Sequence, residues 1–407
     1  MRTLLFILGT LPALVLRAQS LDEHLERAVE LNPGLQARYA EFEAALVRSA
    51  QVSGLPDPTL SIGYFISPVE TRVGPQRARF SLTQMFPWFG TLGVQAEATD
   101  LLAEARYQAF LEARNELVYK VRMAYYPLHE LDRAVELERA DLEILRSHQD
   151  LALARFESGK GRMVDVLRTE LAINEAEVDI ALLEERREPL RVAFVRAVGY
   201  AVDVPVSTRD SLGLVDLSLL RPSDSLAMDP RLHELDLRMD AALSQAEAAR
   251  RMGAPRMGLG IDYVVVDERT DMDLPDNGRD VIMPMFSVSL PIYRSKYRSG
   301  VEEAEALQRS YELLRVQRGN DLAAAYETAR YEAYKAARMA QLMDAQIAVN
   351  ERILELLLAA YSGNGSDFEE VLRTQQQLLR QRLMRLSALR EHHAAIARID
   401  LLTAKRP

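Results

Sequence analysis

The sequence predicts a mainly α-helical protein with a small membrane β part, built as a tandem repeat. Three observations support this: two helical stretches far longer than a globular helix, two pairs of alternating strands, and a second copy of the whole order in the second half. The chain has 407 residues, a formal net charge of −10 and no cysteine. The lack of cysteine excludes a disulfide framework, thiol catalysis and an N-terminal lipidated cysteine.

A very long helical hairpin is predicted over residues 91–198. Its first arm, over 91–157, is rich in strong helix formers and would stretch about 100 Å at 1.5 Å per residue. The arm ends at the glycine-containing corner Ser158–Gly161, and a return helix runs from Met163 to Val198. Pro127 and Pro189 interrupt the two arms, so we expect a kink at each.

The N-terminal residues 1–18 have the features of a secretory signal peptide. Arg2 supplies the positive end, Leu4 to Leu16 form a short apolar core, and cleavage is expected after Ala18. A buried N-terminal helix is the alternative, and Pro12 within the apolar run disfavours it. No later apolar run reaches the ~18 residues of a membrane helix, so we expect an exported protein without a helical membrane span.

Each half of the chain contains one pair of predicted strands, about 58–67 with 79–87 and about 256–266 with 281–291. One face of each strand is apolar and the other is small or polar, which is typical of a membrane β-barrel with a wet interior. A half-buried soluble sheet shows the same alternation. Four strands cannot close a barrel, and open edges are costly in lipid. If the strands span a membrane, several chains must share one barrel, and three chains would make it twelve-stranded.

The repeat divides the mature chain into a first structural repeat at 19–198, a linker at 199–228 and a second repeat at 229–407. Asp229-Pro230 matches Asn32-Pro33, and the second long hairpin spans 297–404. The second corner is Gly363-Asn364-Gly365. After it, residues 371–374 repeat residues 166–169 letter for letter.

Two interpretations of the long helices remain open from their residues alone. A soluble coiled-coil rod is the simpler one, and a wall of helices around a water-filled tube is the other. The repeated hairpin, joined to export and to strand pairs, favours the tube. Enzyme function is disfavoured, because the six histidines lack zinc-ligand spacing and no nucleophile elbow or triad is found. No cofactor is predicted, and the acidic balance argues against a nucleic-acid partner.

These motifs in this duplicated order resemble the TolC family of outer-membrane efflux proteins, over essentially all of the mature chain. The resemblance implies a homotrimer, with a trimeric α-barrel in the periplasm continued by a shared 12-stranded β-barrel among outer-membrane lipid. It implies an exit duct for small molecules or ions in a tripartite efflux or type I secretion system. Its partners would be a periplasmic adaptor and an inner-membrane pump, for which the RND class is a candidate. The alternative is a soluble periplasmic coiled-coil adaptor or scaffold without membrane strands.

The resemblance also implies an acidic periplasmic entrance after the last corner, typically an Asp-x-x-Asp pair. Glu370 and Arg373 occupy the matching positions, so the second acid is absent, and Asp367 and Glu369 are nearby acids that could compensate. Solvated charge at a helix start is the alternative for all of them. The tips expected to dock the adaptor are the two corners, with residues Ser158, Gly159, Lys160, Gly161, Gly363, Asn364 and Gly365.

Overall fold

A computed structural model describes residues 20–208, 210–272, 274–363 and 368–405. The predicted signal segment lies outside these residues, as do Asn364, Gly365 and Asp367. The elements in chain order are α1 (Leu21–Leu31), α2 (Pro33–Ser53), β1 (Thr59–Thr71), β2 (Gly74–Phe86), α3 (Thr91–Glu157), α4 (Met163–Val198), α5 (Pro230–Met252), β3 (Arg256–Val266), β4 (Val281–Ser289), α6 (Arg294–Gly363) and α7 (Phe368–Leu402). The prediction of a mainly helical chain with few strands is confirmed.

The long helices have the lengths that their composition indicates, 67 residues for α3 and 70 for α6. Pro127 and Pro189 lie inside α3 and α4, and neither residue ends its helix. A proline removes only one hydrogen bond, and the many remaining bonds of a helix this long keep it continuous. The start of α6 at Arg294 is earlier than the predicted residue 297.

The matched Asx-Pro motifs have a common local cause, because both begin helices. The Asn32 side chain accepts a hydrogen bond from the Leu35 backbone N–H at 3.0 Å, just before Pro33 begins α2. The Asp229 carboxylate accepts from the N–H groups of Arg231 and Leu232, and Pro230 occupies the first turn of α5. An Asx cap followed by proline satisfies free N–H groups while removing one that would have no partner.

The strands of both halves form one antiparallel sheet in the order β1-β2-β3-β4. The prediction placed β1 at about 58–67 and a loop around Pro68, Gly74 and Pro75, and this is wrong in detail. β1 continues to Thr71 and β2 begins at Gly74, so the connection is a tight turn. A shift of register between Tyr64 and Val69 lets the strand accommodate Pro68 as an irregularity, which is where a strand tolerates proline.

Two compact units divide the described chain, and each takes elements from both repeats. One comprises the described residues up to Gln36, Arg114–Ser225 and those from Ala324 on; the other comprises Ala37–Ala113 and Leu226–Ala323. The boundaries of the two units therefore differ from those of the two sequence repeats, because the long helices contribute to both units. None of the described helices contains an apolar stretch long enough to cross a bilayer.

The linker at 199–228 is held by specific bonds, which lie within the first unit. Two 3₁₀ turns lie at Leu217–Leu219 and Ser223–Met228. The Asp210 carboxylate accepts from the Tyr125 hydroxyl at 2.6 Å and from the Leu21 N–H at 3.0 Å. The buried His392 ring contacts the Val215 N–H at 3.1 Å and the Ala333 carbonyl at 3.0 Å. A ring that accepts at one nitrogen and donates at the other is a neutral imidazole, so this segment is a fixed structure.

Candidate docking corner, entrance and channel wall

The first corner is a compact exposed turn. Gly159 has a positive φ of 70°, and Ser158, Gly159 and Lys160 are exposed. The N–H groups of Lys160 and Gly161 both donate to the Arg155 carbonyl at 2.9 Å, and so they satisfy the free end of α3. Only glycine adopts this φ without strain. The second corner is described only to Gly363, so the turn residues after it cannot be compared.

The predicted entrance residues are exposed charges at the start of α7. The Arg373 guanidinium donates to the Glu370 carboxylate at 3.4 Å, and both side chains are more than half exposed. The Glu369 carboxylate forms an ion pair with Arg168 of α4. Sequence reasoning missed this contact. No local rule pairs these two residues, which lie 201 positions apart in the chain.

A buried core lies behind these charges, shared by both hairpins. Phe368 and Val371 of α7 pack with Tyr361 of α6 and with Leu142 and Val166 of the first hairpin. The Arg155 guanidinium lies over the Tyr361 ring at 4.4 Å from its centroid, and it donates to the Tyr361 carbonyl. One arginine, as well as apolar packing, thus joins the end of α3 to the end of α6.

His148 of α3 contacts the same core. Its ring meets Phe368 edge-on, with 6.3 Å between the ring centroids, and its Nδ1 has no hydrogen-bond partner among the described residues. Burial lowers the pKa of His148, since the charged ring would lose its water without gaining a counter-ion. The imidazole therefore packs as a neutral ring against the corner core.

A line of buried polar residues continues along the helices of this unit. Glu138 and Asp141 of α3 are both buried, and the Gln375 amide donates to Asp141. Burial, then the negative charges of Asp179 and Asp141, raise the pKa of Glu138 to about 7. Further on, the Asn350 amide donates to Gln381 at 2.7 Å. Buried polar groups between packed helices are typically found where they fix the register of the helices at some cost in stability.

The sheet has one exposed apolar face and one small, polar face. Ile62, Phe80, Tyr263 and Ile282 stand in one row across the four strands, and all four are exposed. The opposite face includes the row Ser61, Ser81, Asp262 and Met283. Asp262 is fully buried and forms an ion pair with Arg79. An apolar outside and a polar inside is the pattern of a membrane β-sheet around water.

Comparison with known proteins shows which proteins have a similar sequence or fold. Residues 25–200 match the family model described as "Outer membrane efflux protein". No curated protein matches the sequence. Among solved structures, the outer-membrane channel OprN is similar at 18% identity and a TM-score of 0.74, over 95% of this chain and 90% of that one.

Two further structures have the same fold. VceC of Vibrio cholerae is 16% identical, with a TM-score of 0.72 over 94% of this chain and 96% of that one. The MtrE outer-membrane channel of Neisseria gonorrhoeae is 16% identical, with a TM-score of 0.71 over 94% and 88%. At these identities the likenesses establish the fold.

The fold is therefore that of outer-membrane channels. The match of residues 25–200 to that family model confirms the resemblance that the motifs indicated. The matched family model and the similar structures are of outer-membrane proteins, in agreement with the predicted location. The relatives are channel proteins and not enzymes. The alternative of a soluble adaptor without membrane strands is disfavoured.

Proposed function

We propose that three copies of this chain form a passive exit duct, which accepts small molecules or ions from a periplasmic adaptor and an inner-membrane pump. The observation that carries the proposal is the sheet. Its apolar face is exposed along all four strands, and β1 and β4 each have a neighbour on one side only within the described chain. Exposed apolar area costs roughly 25 cal/mol per Å² in water, and unpaired strand edges are costly in lipid. A barrel shared among copies removes both costs.

The adaptor is proposed to dock at the two corners, around Lys160 and the segment after Gly363. The support is the exposure of the first corner together with the packed core of both hairpins beside it, since a docking surface needs a fixed backbone. Glu370 and Arg373 are proposed to control the entrance. The observed Glu370–Arg373 pair supports a role in closure, because such a pair neutralises the carboxylate that would otherwise attract cations. The pump and its cargo stay open, with the RND class as the candidate.

Two measurements test the duct. The mass of the purified protein in mild detergent should correspond to three chains, and a stable monomer would refute the shared barrel. The same preparation should give discrete conductance steps in planar bilayers. Heat-denatured protein is the control, and the absence of steps from native trimers would refute the channel.

Docking is tested separately by crosslinking in cells. A photo-crosslinker at Lys160 should capture a periplasmic adaptor, whereas one at Asn277, in the connection between β3 and β4, should not. Capture only from Asn277 would reverse the proposed orientation.

A further inference from the structure

We propose that a cavity between the end of α5 and the start of α6 binds the phosphate of an anionic membrane lipid. The proposal rests on the proposed function, because it requires the sheet to lie in a bilayer. The cavity has a volume of about 590 Å³ and is lined by Arg250, Arg294, Arg298 and Tyr297 among others, with no acidic side chain in its lining. Guanidinium groups bind phosphate oxygens through two parallel N–H donors, which makes arginine the preferred residue for this contact.

The helices approach closely on one side of the cavity and leave room on the other. A Cβ atom placed on Gly253 would lie 3.3 Å from the Tyr297 Cβ, and one on Gly300 would lie 3.5 Å from the Ala249 Cβ. Small residues thus bring α5 and α6 together along this line. The long arginine side chains beside it border an open space instead of filling it.

The arginines keep enough free charge to hold a phosphate. Arg250 pairs with Glu305 at 2.9 Å, and Arg298 pairs with Glu302 at 3.5 Å. Arg294 makes no ion pair with any described residue. The two pairs are exposed, and exposed pairs contribute at most about 1 kcal/mol. An arriving phosphate can therefore bind Arg294 directly and compete for the other two guanidinium groups.

The order of residues before the cavity indicates which anion reaches it. The apolar face of β4 continues beyond the strand through Leu290, Ile292 and Tyr293, which are 68%, 73% and 79% exposed. Arg294 follows at once as the first residue of α6. At a bilayer surface, the order from hydrocarbon to headgroup is apolar side chains first, then aromatic rings, then cations. A lipid headgroup is the anion found at that depth.

The first repeat shows that a strand-to-helix junction of this fold does not need these cations. After β2 the chain reads Trp88-Phe89-Gly90, and α3 contains no lysine or arginine before Arg106. The second junction has Arg294, Lys296 and Arg298 within five residues. In the sequence, aromatic residues occur at both junctions, whereas basic residues follow the strand only in the second repeat; at the first junction the Arg251 side chain of α5 lies beside Gly90 instead. The charge is therefore a local feature of the second repeat.

The test compares lipid binding to trimers in mild detergent by native mass spectrometry. Wild type should hold phosphatidylglycerol more tightly than phosphatidylcholine. Arg294→Gln combined with Arg298→Gln should weaken phosphatidylglycerol binding about thirty-fold, since each basic residue near a membrane surface contributes about 1 kcal/mol. The matched control is Arg309→Gln with Arg352→Gln, which removes equal charge from exposed positions of the same helix. The single variant Arg294→Gln breaks no described ion pair and covers the case in which the double variant does not assemble.

Three outcomes would overturn the assignment. Equal loss of lipid in the control variant would mean that net charge, and not the cavity, holds the lipid. Displacement of phosphatidylglycerol by millimolar inorganic phosphate would indicate a site for soluble anions. Unchanged binding in both cavity variants would exclude these arginines. Conductance in phosphatidylcholine bilayers is measured in parallel. Conducting trimers without selective lipid binding would refute only the lipid site, while non-conducting wild-type trimers would refute the duct.

Discussion

Replacing Glu138 by glutamine should stabilise the folded chain at alkaline pH and leave it unchanged at acid pH. Glu138 is 6% exposed and lies near the carboxylates of Asp179 and Asp141. No described ion pair neutralises it. Burial raises the pKa of Glu138 to about 7 from an ordinary 4.5. The folded state therefore keeps Glu138 protonated over a pH range in which the unfolded chain has lost that proton.

The sign and size of the effect follow from proton linkage. The free energy of unfolding should fall as the pH rises from 4.5 towards 7, and stay low above that. At 1.36 kcal/mol per pKa unit the loss approaches about 3 kcal/mol for each chain, as an upper bound. Glutamine has nearly the same shape and no charge to desolvate, so this loss disappears. Assembly cannot expose Glu138, because its burial is already complete within one chain.

Helical melting by circular dichroism at a fixed heating rate provides the assay, at pH 5 and pH 8. The wild type should melt several degrees lower than Glu138→Gln at pH 8, and this difference should shrink to about a quarter at pH 5. Glu185→Gln is the matched control, since Glu185 is an exposed residue of α4. Equal pH dependence in wild type and Glu138→Gln would refute the assignment of the proton to Glu138.

Three further perturbations test the corner and the entrance. Arg155→Lys should speed amide hydrogen exchange at both corners, because a lysine cannot cover the Tyr361 ring and donate to the Tyr361 carbonyl at the same time. Unchanged exchange at the corners would show that the packed core alone holds their backbone. His148→Phe should reduce the loss of stability that wild type shows as the pH falls below 6.5, because the buried ring resists protonation, as do those of His24, His129 and His393. Amide exchange at pH 5.5 measures the stability, and an unchanged profile would contradict the prediction. Glu370→Gln and Arg373→Ala should both raise single-channel conductance, the second with stronger cation preference, and no change in either variant would place the constriction elsewhere.

Most of the fold was predictable from the sequence because its signals are local. A helix-forming composition and a glycine-containing corner indicate where α3 and α4 begin and end, and the predicted bounds agree with the structure. The β1–β2 turn was missed for a physical reason. Pro68 and Gly74 ordinarily indicate a loop, but here one lies at a strand irregularity and the other begins the returning strand.

The contacts between the repeats could not be predicted, because no local rule pairs residues so far apart in the chain. The β2–β3 pairing that joins the two strand pairs is one case. The Arg168–Glu369 ion pair and the Arg155–Tyr361 stack are others. The predicted entrance residues were found as exposed charges at the start of α7, which is compatible both with an entrance and with solvated charge. Their role stays a prediction until conductance is measured.

The duplicated motif has different environments in the two repeats, and the difference indicates which position tolerates a change of charge. Asp165 precedes the first copy; it is buried, pairs with Arg162 at 3.1 Å and lies one turn before the buried Thr169. Glu370 precedes the second copy and is exposed beside Arg373. Replacing a buried carboxylate disrupts the packing around it, whereas changing an exposed one costs little stability. The first corner is therefore constrained by its fold, and the second can vary its charge without unfolding.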